Sequence, residues 1–326
     1  MLSRYTSALT EIFKQVPDKR EAHRRSRGVL GDMAVDASVV TDILRRHLSQ
    51  PEALNSRHYP VVAVTVEENP YYTLVMHGWI PLPDGASDVT TKAIHHHGTM
   101  LLTSVTAFGP GYEHWMFSRP QPVDPERELY TMRVIEHGPH PLHHCAFVDA
   151  YIAHVPLYPA SFTITLALWS GSARTTWKDV LKRLPMMKGR EAELRRLAVR
   201  VGLAPALELK VVDYFDFYPA AGGFKGMKER IEFDRGPNAD YLQSLFHVVQ
   251  QTGNEALGDL VEGHLEADRA LEDAGLVRQL LGRLRQGHRI DGRLSPCHVG
   301  ISHANFSRRD IERALAEPTP AGATAV

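Results

Sequence analysis

The sequence predicts a mainly β domain with helical additions at both ends, and three observations carry that expectation. Between about residues 57 and 170, short runs of β-branched and aromatic residues are separated by Gly, Pro and Asp turns. No helical pattern interrupts those runs, which argues for a sandwich or barrel rather than a parallel sheet. On either side the apolar spacing shifts to three and four residues, the period of helices.

Up to about residue 50 two short helices are expected. Pro17 and the basic run Lys19-Arg20-Glu21-Ala22-His23-Arg24-Arg25 break the first pattern, and Val39, Val40, Ile43 and Leu44 form a stripe before Pro51. Strands are expected at 61–66, 71–80, 92–97, 101–108, 112–117, 130–135, 145–149, 152–155 and 162–169. Pro81-Leu82-Pro83-Asp84-Gly85 and Phe108-Gly109-Pro110-Gly111 read as turns. After Gly171 come three helical stripes: Leu194, Leu197, Ala198 and Val201; Leu242, Leu245, Phe246 and Val249; and Val277, Leu280, Leu281 and Leu284. The aromatic stretch 211–218, followed by Ala220-Ala221-Gly222-Gly223-Phe224, reads as a strand leading into a loop or as a lid over the barrel mouth. The organisation expected is a helical segment 1–54, a barrel 55–174, a helical extension 175–316 and a disordered tail 317–326.

A chain of 326 residues with 43% hydrophobic content can bury a substantial core. Its 37 Lys and Arg against 38 Asp and Glu leave a net charge of −1, so no global field favours nucleic acid or an anionic membrane. The basic run near residue 20 is interrupted by acid and lacks aromatics, so it reads as a solvated helix face. A small molecule is the partner expected, with neither nucleic acid nor membrane. The two cysteines, Cys145 and Cys297, build no disulfide framework or zinc spacing. With no signal-peptide core after Met1 and no membrane-length apolar stretch, the location expected is the cytoplasm. Serine-hydrolase elbow, P-loop and dinucleotide fingerprints are absent from the sequence.

Chemistry concentrates on two short histidine-bearing strands, Ala93-Ile94-His95-His96-His97-Gly98 and Asp149-Ala150-Tyr151-Ile152-Ala153-His154-Val155. Alternate strand residues face the same way, so His95 and His97 share a side while His96 points to the other. With His154 they can present three imidazoles to one metal ion and leave positions open for substrate or dioxygen. The chain has 18 histidines, with a further cluster at His137, His140, His143 and His144, so a His-rich polar strand would produce the same residues. Neutral imidazole suits iron, and also zinc or nickel, and the residues alone do not choose among them.

The order of helices, strands, Ile94-His95-His96-His97, a Gly turn, and later His154 ahead of Phe162-Thr163-Ile164-Thr165-Leu166-Ala167-Leu168-Trp169-Ser170 resembles the cupin superfamily, and within it the cysteine dioxygenase-like thiol dioxygenases. The likeness covers roughly residues 55 to 171. His95, His97 and Gly109 or Gly111 match the first cupin motif, and His154 the second. The resemblance implies a cupin-type jelly-roll barrel holding Fe(II), with Zn, Ni or Mn as other occupants, on His95, His97 and His154. It also implies an oxygenase acting with O2 on a small carboxylate- or thiol-bearing metabolite. Departures fall at Leu101 and Leu102, where cupins carry a glutamate and the cysteine type a cysteine, and at Thr165, Ala167 and Trp169 in place of a Ser-x-His-x-Tyr run.

Further candidates surround the trio. His114, on a strand leaving the glycine turn, is expected to add a polar group to the cavity, with Glu113 and Trp115 on the other face. Tyr151 and Tyr158 flank His154 as donors to a reacting oxygen. Arg57, Trp169 and Tyr72 are the substrate-binding candidates; Arg57 loosely resembles the family's arginine that grips a carboxylate. Tyr151, His114 and Tyr158 are thus the catalytic expectations. A metal-dependent lyase or isomerase and a non-enzymatic ligand-binding cupin are the rival readings. The helical extension is expected to cover the barrel or to form a homodimer contact.

Overall fold

The computed structural model describes residues 2–57, 61–91, 93–171, 213–218, 223–227, 237–267, 270–294 and 306–316. Three helices lead, one more than the sequence predicts: α1 (Leu2–Gln15), α2 (Lys19–Val35) and α3 (Ser38–Leu48). In α1, Leu2, Tyr5, Leu9 and Phe13 recur every three or four residues and form its buried face. Asp18 starts α2 by accepting the backbone N–H groups of Arg20 and Glu21. The basic run therefore forms the first turns of α2, where exposed Arg24 and Arg25 pair with Glu21.

The strands are β1 (Val62–Glu68), β2 (Thr73–Trp79), β3 (Ile94–His96), β4 (Met100–Phe108), β5 (Tyr112–Phe117), β6 (Gln121–Asp124), β7 (Leu129–Thr131), β8 (Val134–His140), β9 (Cys145–Val148), β10 (His154–Pro156), β11 (Thr163–Gly171), β12 (Asp213–Tyr218) and β13 (Gly223–Gly226). Helices α4 (Asn238–Gln251), α5 (Gly258–Glu266), α6 (Ala274–Arg285) and α7 (Arg308–Ala316) follow. The expected strand 130–135 is in fact the end of β7 and the start of β8. Its neighbour β6 escapes prediction because it is an exposed strand carrying Pro122, a residue tolerated only at such positions. The second and third helical stripes lie on α4 and α6, whereas the stripe from Leu194 to Val201 and the tail 317–326 fall outside the described residues.

Strand pairing defines the architecture. One sheet runs β1-β2-β11-β4-β9 and the other β6-β7-β13-β12-β3-β10-β5-β8. Within them β2 pairs with β11, β3 with β10, β4 with β9 and β5 with β8, each antiparallel. First meets last and inner meets inner, as in one long hairpin ribbon rolled over on itself. That is the jelly roll. The connection between β4 and β5 is the expected glycine turn: Gly109 and Gly111 have φ of +79° and +85°, and a Cβ on Gly111 would lie 2.0 Å from the His140 carbonyl oxygen. Only glycine fits there.

Alternation along the strands sorts the layers. Val62, Val64, Leu74, Met76, Ile164, Leu166 and Leu168 point outward from the first sheet and share one core with residues of α1–α6. Burying each such side chain contributes about 1.5–3 kcal/mol. His23 of α2 crosses into this layer, its two ring nitrogens 2.8 Å from Thr103 Oγ1 and from Ser170 Oγ. Burial lowers its pKa to about 4, which keeps the ring neutral. On the second sheet Trp115, Phe117, Val155 and Phe215 face outward and pack with Ile311 of α7, while Arg308 pairs with Glu113. The two inner faces meet through Leu102, Val148, Ala167 and Met116. No described helix is long and apolar enough to cross a membrane.

Candidate metal centre

β3 is three residues long and buried throughout, and its register sets the centre. His95 lies opposite His154 of β10, and His154 in turn opposite Met116 of β5. The rings of His95, His97 and His154 converge, with centroids 4.6, 4.7 and 5.1 Å apart. One nitrogen from each lies within 4.8 Å of the others, and among the described residues this is the cluster able to hold an ion. His95 and His154 are buried and His97 is half-buried just beyond the strand end.

Contacts at the other ring nitrogen set which nitrogen His95 and His154 offer. His95 Nδ1 stands 2.9 Å from the Ala93 carbonyl oxygen, so that nitrogen carries the proton and Nε2 carries the lone pair. His154 Nδ1 lies 2.8 Å from His114 Nε2, which directs its own Nε2 to the centre. His97 Nε2 and His154 Nε2 are 2.9 Å apart. Two imidazole nitrogens at right angles around an ion, each about 2.1 Å from it, would stand about 3.0 Å apart. The donor set and its spacing thus fit a divalent transition metal. Metal-ligating histidines ordinarily spend their second nitrogen on a supporting partner, as His95 and His154 do here.

His96 faces the other way, as alternation requires, and is fully buried rather than solvent-exposed. Its Nδ1 accepts the Gly98 N–H at 2.9 Å and its Nε2 faces Asp213 Oδ2 at 3.5 Å.

The structure brings two further sequence candidates to the trio. His114 is buried against His154, with Glu113 bonded to Trp115 on the opposite face of β5. Trp169 sets its ring 4.4 Å from His97 at a 67° angle. Three others are placed elsewhere. Tyr151 has a left-handed backbone, φ 59°, and its ring packs on His96, on the side of β3 away from the centre. Arg57 engages Glu272 at 2.7 Å on the surface. Tyr72 is turned outward from the sheet, its hydroxyl donating to the Thr6 carbonyl of α1. Tyr158 is buried beyond β10, its backbone N–H bonded to the Val89 carbonyl. Cys145 is half-buried with its thiol 3.8 Å from the Arg27 carbonyl, and burial raises its pKa.

Sequence reasoning missed Tyr214, which stacks on His95 with centroids 5.6 Å apart and planes 20° from parallel. The signal was the aromatic alternation at 213–218, read as strand or lid. Deeper in the barrel Tyr112 stacks on His140, and His140 bonds Ser104 Oγ and Thr106 Oγ1 at 3.2 and 2.7 Å. Burial lowers the His140 pKa to about 4 and raises that of Tyr112 to about 12, so both are neutral near pH 7.

The pairing of β2 with β11, β3 with β10, β4 with β9 and β5 with β8, with three histidines able to hold a metal ion gathered at β3 and β10, decides the structural class. The domain is a jelly-roll barrel. No family model matches the sequence, and no curated protein shows detectable similarity to it. Among solved structures this chain is similar to a cupin-2 domain protein from Rhodospirillum rubrum, at 14% identity over 46% of this chain and 84% of that one, with a TM-score of 0.22. A protein from Klebsiella pneumoniae subsp. pneumoniae with a double-stranded β-helix domain shares 12% identity over 36% and 87%, TM-score 0.23. The DMSP lyase DddQ from Ruegeria pomeroyi DSS-3 shares 16% over 36% of this chain, TM-score 0.22, and the chain spans 49% of that lyase's length. Overlaps this limited say nothing about activity, and the barrel rests on the strand order above.

Proposed function

We propose that this chain is a metal-dependent cupin enzyme for a small anionic metabolite and, more narrowly, a non-haem iron oxygenase of the thiol dioxygenase-like kind. The observation that carries this reading is the convergence of His95, His97 and His154, with the proton of His95 held on Nδ1. Three neutral donors leave a divalent ion its full charge, since no carboxylate joins the cluster among the described residues. A carboxylate or thiolate ligand is favoured there on Coulombic grounds. When bound, the ion would supply Lewis acidity and, as iron, a redox couple for dioxygen.

The chain's own residues do the rest. Trp169 holds the His97 ring edge-on and, with Leu102, Met116, Val148 and Ala167, forms an apolar wall that excludes water. With His154 Nε2 serving as a ligand, its proton sits on Nδ1 and His114 Nε2 accepts it. With Arg57 engaged by Glu272, the anionic end of a substrate is held by the centre itself rather than by Arg57.

A lyase or isomerase is the second reading, favoured by the neutral Tyr112 and His140 inside the barrel, hydrogen-bonding groups able to relay a proton. One experiment separates the two. Protein reconstituted with Fe(II) is given small thiols and carboxylates, cysteine first, in an oxygen electrode and in parallel without air. Oxygen uptake that needs Fe(II), fails with zinc and is lost in His95→Ala, His97→Ala and His154→Ala supports the oxygenase. Equal turnover without air replaces it with the lyase, and metal retention unchanged in all three variants overturns the centre itself.

A further inference from the structure

The barrel alone leaves His95 poorly held. In the jelly-roll order β3 would be the edge of its sheet, and toward β10 it has one registered pair, His95 with His154. Its other side is covered by β12, a strand that arrives only at residue 213, well after the roll has closed with β11 at Gly171. β12 gives β3 three registered pairs: Asp213 with His96, Tyr214 with His95 and Phe215 with Ile94. Each of these three side chains then meets a different part of the histidine strand. Tyr214 stacks on His95, while Asp213 and Phe215 take the opposite face, the first 3.5 Å from His96 Nε2 and the second with its ring 5.9 Å from that imidazole.

β12 is itself anchored from beyond. It pairs with β13, which pairs with β7, and Phe215 sets its ring against Tyr130 at 84°. Near-parallel stacking fixes the plane of the His95 ring, and the ladder fixes its backbone. Together they hold Nδ1 toward the Ala93 carbonyl and Nε2 toward the centre.

We propose that β12, supplied from outside the jelly roll, completes the metal centre, with Tyr214 acting as the positioning residue for His95. This inference rests on the three-histidine centre, and its test has one arm that does not.

In the first arm Co(II) is titrated into full-length wild type, Tyr214→Phe and Tyr214→Leu, with far-UV circular dichroism confirming that each is folded. Tyr214→Phe keeps the aromatic face and is expected to bind within about twofold of wild type. Tyr214→Leu keeps the apolar bulk without the stack and is expected to bind about tenfold or more weakly, with shifted Co(II) ligand-field bands. In the second arm, nitrogen chemical shifts of the His95 ring in metal-free protein report which nitrogen holds the proton. Wild type and Tyr214→Phe should show a single Nδ1–H form, and Tyr214→Leu an average of two. A single Nδ1–H form in Tyr214→Leu, with Co(II) affinity unchanged, overturns the proposal. Should wild type take up no Co(II), the metal reading falls and the proton arm alone decides: averaging supports the role of Tyr214, and its absence overturns it.

Discussion

Substituting His114 by Phe keeps a ring buried on β5 but removes the nitrogen that faces His154 Nδ1 at 2.8 Å. In the metal-free chain His154 can answer by moving its proton to Nε2, where His97 Nε2 at 2.9 Å accepts it. Once Nε2 must act as a ligand, the proton is forced onto Nδ1, which has lost its bond to His114. A buried N–H left in that state costs about 1–3 kcal/mol. At about 1.4 kcal/mol per decade this predicts roughly 5- to 150-fold weaker binding, which brackets the 10–100-fold generally lost with a supporting partner. The cost falls on the loaded form, so the melting temperature of the metal-free protein should change little. Competition titration of Co(II) against a chromophoric chelator measures the effect, and His114→Asn, which can return an amide oxygen as acceptor, should recover part of it. Affinity within about twofold of wild type in His114→Phe would refute the tautomer argument.

Other perturbations read different layers. His23 and His140, both held near pKa 4 by burial, bind protons in the unfolded state at about 6.5, so stability is full above that pH and falls as the pH drops toward 4. The loss should be on the order of 3 kcal/mol per ring, read from urea midpoints across the range; a flat profile would remove the claim that both are neutral in the fold. Gly111→Ala places a Cβ 2.0 Å from the His140 carbonyl oxygen at a φ of +85°, and should destabilise by more than about 2 kcal/mol in thermal melts; a change below about half of that would mean the turn can relax. Arg57→Ala breaks an exposed pair and should cost less than about 1 kcal/mol and leave substrate KM unchanged, so a large KM rise would bring the guanidinium back to the site.

Much of the barrel was legible because period-two alternation survives in its strands. The expected strand 112–117 is β5, with Tyr112, His114 and Met116 inward and Trp115 and Phe117 outward. The spacing of His95 and His97 likewise put both on one side. Tyr72 was misplaced for the converse reason: the first sheet is covered on both faces, so its apolar runs do not say which way a residue turns. Arg57 was chosen for what a guanidinium can do, while its partner Glu272 lies far along the chain. Tyr214 could not be assigned to His95, because pairing between strands so distant in sequence leaves no local trace, and the same holds for β13 on β7. The extra N-terminal helix follows from Asp18, whose side chain caps a new helix one residue after Pro17.

Because β2 pairs with β11, register partners such as Trp79 and Thr163 must wait for the whole intervening ribbon before they meet. Loop-closure entropy delays contacts of that span, so the roll should be slow to form. During synthesis β3 leaves the ribosome well before β10, and β12 later still. Through that interval the histidine strand exposes backbone donors and acceptors on both sides, a template for capture by a chaperone or by another nascent copy.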